Sequence, residues 1–167
     1  MCTRQETLCF FNRQITLADG KVTASDGLAV TPAVCDLLKD YIANRPAAMP
    51  QESSTLLTIR EFSGGAPLFS NFTANTSKTV ETHFAGRIDA LSAKCRALGG
   101  TPRNSPGYDL SARFTALPGI PVYLTFNDRD ECLPASAAFL FAADADRILP
   151  VTRLMTIATS LTGSLIA

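Results

Sequence analysis

The charged residues of this sequence that could do chemistry fall in three places. Arg60 and Glu61 stand ahead of Ser63-Gly64-Gly65. Neighbouring residues in a strand point to opposite faces, so one of this pair is expected to point inward. A buried charge needs a partner or a ligand. Two glycines let backbone approach a ligand closely and present its N–H groups. Neither Gly-x-x-x-x-Gly-Lys nor Gly-x-Gly-x-x-Gly occurs, so this is not a phosphate loop. Asp109 and Arg113 share the polar face of a strand pattern and, with Arg60, are expected to line one pocket. The candidate ligand-binding set is therefore Arg60, Glu61, Gly64, Gly65, Asp109 and Arg113. The competing readings are a structural ion pair before a turn for Arg60-Glu61, and for Asp109-Arg113 a cross-strand pair worth roughly 0.2–1 kcal/mol. Arg103 and Asn104 precede the same strand, as ligand contacts or ordinary loop residues.

Asp128, Asp130 and Glu131 form an acidic cluster whose oxygens would suit a hard cation, and they are the candidate metal ligands. The EF-hand pattern fails there, and a solvated turn is the competing reading. His83 is the single histidine, and an imidazole is what a haem or corrinoid lower ligand requires. A structural histidine is the alternative. Five cysteines lie at Cys2, Cys9, Cys35, Cys95 and Cys132, with no CxxC among them. They read as small buried hydrophobes in a reducing cytosol rather than a zinc or iron–sulfur site. No Gly-x-Ser-x-Gly is present. Cys95 falls twelve residues after His83, about 18 Å along one expected helix, which keeps the two apart.

The elements that must position these residues centre on Gly107 to Ala142. Tyr108 to Ala116 alternates apolar and polar residues, Val122 to Phe126 repeats the pattern, and Ala137 to Ala142 is apolar on both faces. These predict an antiparallel meander with helices over one face. Before it, Thr3 to Leu8 is expected as a short helix with a Thr3/Glu6 capping box. Gln14 to Ser25 reads as a hairpin turning at Asp19-Gly20. Thr31-Pro32 opens a helix burying Val34, Leu37, Leu38, Tyr41 and Ile42. Thr55 to Phe62 is expected as a strand, and Lys78 to Leu98 as the longest helix, stopped by Gly99-Gly100. The last helix, about Pro150 to Ile166, is expected to bury Val151, Leu154, Met155, Ala158, Leu161 and Leu165.

A chain of 167 residues with 46% apolar content suits one domain, residues 1–167. Fifteen basic and fifteen acidic residues balance to a formal charge of zero, which argues against a general nucleic-acid binder. The start Met1-Cys2-Thr3-Arg4 shows no signal-peptide pattern, and no run approaches 18 apolar residues. These features predict a cytoplasmic protein without membrane or nucleic-acid partners.

The order Leu37-Leu38, Tyr41-Ile42, Ile59-Arg60-Glu61-Phe62-Ser63-Gly64-Gly65, Leu98-Gly99-Gly100, Tyr108-Asp109 and Leu117-Pro118-Gly119-Ile120-Pro121 resembles the domain-of-unknown-function family numbered 3786. Asp128 to Ala135 followed by Ala137 to Ala142 fits its acidic turn and final strand, and the resemblance spans about Ile15 to Ile148. The family's aspartate after the last strand corresponds to Asp144 or Asp146. Its aromatic ahead of the Phe-Arg-Glu segment is replaced by Leu57 or Thr58. The resemblance implies an anaerobic bacterial or archaeal setting and an accessory role near iron–sulfur and corrinoid proteins. The expected fold is α+β, with a mixed or mainly antiparallel sheet and three or four helices mainly on one face. The expected function is non-catalytic binding of a cofactor or of a cofactor-carrying protein, with the cofactor itself unspecified. The alternatives are a small enzyme using Arg60, Glu61 and Asp109, and a structural or oligomerisation module; oligomeric state is open.

Overall fold

The computed structural model describes residues 5–49 and 51–167 and is α+β. Strands β1 (Glu6–Phe10), β2 (Arg13–Ala18) and β3 (Lys21–Ala24) form an antiparallel sheet in chain order. The Gln14 to Ser25 hairpin is as expected. Helix α1 follows over Pro32–Asn44, its first turn capped by the Thr31 hydroxyl, which accepts from the Val34 N–H at 3.4 Å.

Two expectations about the early chain are corrected. Glu6 to Leu8 is strand, not helix; Thr3 lies outside the described residues. Leu8 and Phe10 are buried between exposed Thr7 and Cys9, so period-two burial outweighs the cap signal. Phe11 and Asn12 then turn the chain with φ of 46° and 64°, the positive pair that a two-residue hairpin loop requires.

The second sheet has five antiparallel strands ordered β4-β8-β7-β6-β5, from β4 (Leu56–Leu57), β5 (Thr101–Pro102), β6 (Leu110–Leu117), β7 (Ile120–Asn127) and β8 (Ser136–Ala142). The predicted meander is its centre. Phe114, Val122 and Phe141 stand in register on the face that joins the core, each no more than 1% exposed. Burying one such side chain is worth about 1.5–3 kcal/mol. Arg113, Tyr123 and Leu140 stand in register on the outer face.

The expected strand from Thr55 to Phe62 is reduced to Leu56–Leu57, and Ile59–Glu61 is a 3₁₀ turn. Glu61 reaches back to accept from the Thr58 N–H at 2.7 Å and the Thr58 hydroxyl at 3.1 Å. That reciprocal cap favours a helical turn over an extended chain.

Helices α2 (Phe69–Asn75), α3 (Ser77–Phe84), α4 (Ile88–Ala97) and α5 (Val151–Ile166) complete the fold. The expected single helix from Lys78 to Leu98 is broken at Gly86. Its φ of +73° leaves the helical region, and its N–H donates to the Asp128 carboxylate at 2.6 Å. The helical distance from His83 to Cys95 therefore does not apply. Gly99, with φ +83°, ends α4 as predicted. One hydrophobic core draws on both sheets, through Phe10 and Ile15 on one side and Phe126 and Phe139 on the other.

The outer edge of β6 is covered along its length. Ser111 O accepts from Arg103 N at 2.8 Å, β5 pairs with Ala112 and Arg113, and Ala116 O accepts from Phe11 N at 3.1 Å.

Candidate functional site

Arg60 and Glu61 are exposed on the 3₁₀ turn, and the Glu61 carboxylate is held by its cap. The inward-pointing charge that a strand would have given does not arise. Gly64 turns the chain with φ +78°. Gly65 is buried, and a Cβ there would lie 1.8 Å from the Ile59 carbonyl oxygen, so internal packing already accounts for this glycine. This segment follows β4 at one edge of the sheet, whereas Arg113 belongs to β6, three strands away, and Asp109 immediately precedes that strand. At about 4.8 Å per strand, that separates them by roughly 14 Å. The structure does not bring the expected set together.

Asp109 accepts from the Asp128 N–H at 2.8 Å, and its own N–H donates to Asn127 at 2.9 Å. Asp128 also accepts from Arg129 N, and Asp130 accepts from the N–H groups of Cys132 and Leu133, each at 2.7 Å. Those two bonds hold the Asp130 carboxyl below its ordinary range. Asp128 and Asp130 thus shape the turn itself, and Glu131 is exposed. Among the described residues no three His, Cys, Asp or Glu side chains are grouped to hold a metal ion. His83 is exposed near the end of α3, edge-on to Phe84 at 4.7 Å between ring centres.

Arg113 has a built environment. Its Nε and Nη2 donate to the two oxygens of Glu52 at 3.2 and 2.5 Å, and its Nη1 donates to Thr115 at 3.1 Å. The Tyr123 hydroxyl donates to the same carboxylate. The Arg103 guanidinium lies 4.6 Å over the Tyr123 ring, at cation–π distance. Hydrogen bonding from Arg113, outweighing burial, lowers the Glu52 pKa and raises that of Arg113. Burial pushes the Tyr123 phenol up, and Glu52 adds to that. Tyr123 is 3% exposed yet outside the main core. The cover comes from the loop after α1, which carries Glu52.

A groove of about 890 Å³ runs between β1, the start of α1, α2 and α5. Ligand pockets commonly hold about 300–1,000 Å³. Phe10, Phe72, Leu98 and Met155 give it apolar walls, and Thr156, Thr159 and Ser164 line its α5 side. Those three hydroxyls donate to carbonyls four residues back, at 3.2, 2.9 and 3.1 Å. Their protons are spent inside the helix, so they offer the groove oxygen lone pairs. Arg13 is the charged side chain of the lining, and Asp26 binds it at 2.7 and 3.0 Å. That pairing raises the Arg13 pKa and lowers that of Asp26. Gly163 also lines the groove, and a Cβ there would meet nothing within 4 Å.

The groove has one charged side chain in its lining, so no charge pattern marks it in the sequence. The available signal was the hydroxyl-bearing stripe Thr152, Thr156, Thr159 and Ser160, opposite the apolar stripe of α5.

Among the described residues no helix is long and apolar enough to cross a membrane. No curated protein and no solved structure matches the chain. A family model described as a domain of unknown function (DUF3786) matches residues 2–164, and the chain belongs to that family.

Proposed function

We propose that the protein is a non-catalytic binding module whose groove beside α5 takes an uncharged, largely apolar group bearing hydrogen-bond donors. The observation that carries this reading is the groove's composition. It joins apolar walls to acceptor oxygens, and its one charged side chain, Arg13, is already paired. An ionic occupant would lose hydration there without gaining a partner. An apolar one with N–H or O–H groups would gain both burial and hydrogen bonds.

The occupant is a cofactor or a segment of a cofactor-carrying protein, within the iron–sulfur and corrinoid chemistry that the sequence resemblance implies. The setting is the cytoplasm of an anaerobe. Free thiols at Cys9, Cys35, Cys95 and Cys132 support a reducing compartment.

The test uses Nile red, a neutral apolar fluorophore, titrated against the wild type and Gly163→Leu. Saturable binding that weakens at least tenfold in the variant, with circular dichroism unchanged, is the expected result. Absence of binding to the wild type, or equal binding to both folded proteins, would refute the groove as the site.

A further inference from the structure

We propose that the outer sheet face at Arg113 and Tyr123 binds a small zwitterion, a molecule carrying a carboxylate beside an ammonium group, whose carboxylate position Glu52 fills in the free protein. Arg113 grips both oxygens of Glu52 while Tyr123 donates to one of them. A planar two-point grip with an added phenol is a carboxylate-recognising arrangement. The donors stand on β6 and β7, in the body of the sheet. Glu52 stands on the loop between α1 and β4, its side chain 39% exposed. Arg103, over the Tyr123 ring, adds a second positive charge to a site with one bound carboxylate.

Two further observations point to a ligand. A cavity of about 130 Å³ adjoins the cluster, lined by Glu52, Arg113, Thr115 and Asp144 among others. That is roughly the liquid volume of four waters, enough for a few heavy atoms. The Asp144 carboxylate has no hydrogen-bond or ion-pair partner among the described residues. Across the same cavity from Arg113 it would repel a plain anion and attract an ammonium group.

A tethered side chain competes at an effective concentration in the millimolar range, so its removal should strengthen binding of a free ligand by about tenfold. The measurement is isothermal titration calorimetry of the full chain with glycine, β-alanine and succinate. Glu52→Gln should bind one of the two amino acids about tenfold more tightly than the wild type does, and more tightly than succinate. Arg113→Gln added to that variant should abolish binding, and Asp144→Asn should remove the preference over succinate. If Glu52→Gln does not fold, Glu52→Asp shortens the arm and takes its place. No amino-acid binding in the folded Glu52 variant, succinate binding at least as tight, or binding that survives Arg113→Gln would each overturn the proposal. None of these outcomes depends on the groove beside α5.

Discussion

Gly163→Ala should stabilise the protein, and the amount tests whether the groove is open. Gly163 lies within α5, where glycine costs about 0.8–1 kcal/mol relative to alanine. The penalty arises because glycine loses more backbone freedom on folding. A gain follows only if the added methyl has room, and here it would meet nothing within 4 Å. The methyl would point toward a groove of about 890 Å³, so no offsetting clash arises. The expected gain is therefore about 0.5–1 kcal/mol, reduced toward the lower end because the residue is in the last turns of the helix. For a chain of 167 residues, 1 kcal/mol moves Tm by about 2–4 °C. Differential scanning calorimetry resolves that shift. A Tm that falls would mean that another part of the chain closes on Gly163 in solution. The groove, and the function built on it, would then be withdrawn.

Neighbouring glycines should respond unequally to the same change. Gly65→Ala places a Cβ against the Ile59 carbonyl and should cost more than about 3 kcal/mol, whereas Gly64→Ala has open space and should cost about 1–2 kcal/mol from its left-handed backbone. Urea unfolding of the two variants separates these outcomes, and equal losses would contradict the packing described. Burial pushes the Cys95 thiol up to about 12, from an ordinary value near 9. The folded state thus holds the proton more tightly, so this contribution is complete below pH 9 and is lost as pH rises toward 12. Denaturation at stepped alkaline pH should show stability falling across that window, less steeply in Cys95→Ala. An identical slope in both proteins would place the titration elsewhere.

The sheet was legible because its signal is local. Ala112, Phe114 and Ala116, then Val122, Leu124 and Phe126, recur at every second position along the chain, and the same residues are buried on β6 and β7. The misread stretches each depend on a contact made at a distance or on competing local bonds. Gly86 leaves the helix with its N–H bound by Asp128, forty-two residues on. The chain at Thr58 chose a capped turn over a strand through one carboxylate. Arg113 was rightly placed on the polar face, but its partner is Glu52, from a loop whose path no periodicity encodes. The groove escaped notice because its oxygens belong to residues that score as unremarkable helix surface.

The covered edge of β6 limits how copies of this chain can meet. A strand with free N–H and C=O groups is a template on which another chain can grow a continuous sheet. Here the carbonyls of Ser111 and Ala116 are taken by Arg103 and Phe11, and β5 fills the span between them. On the opposite side, β4 pairs with the end of β8, while Ala137 N donates to Glu81 at 2.9 Å. Strand addition at these positions of β6 and β8 is thereby blocked. Transient opening of the Phe11 turn would free the Ala116 carbonyl on that edge and restore a place for strand pairing.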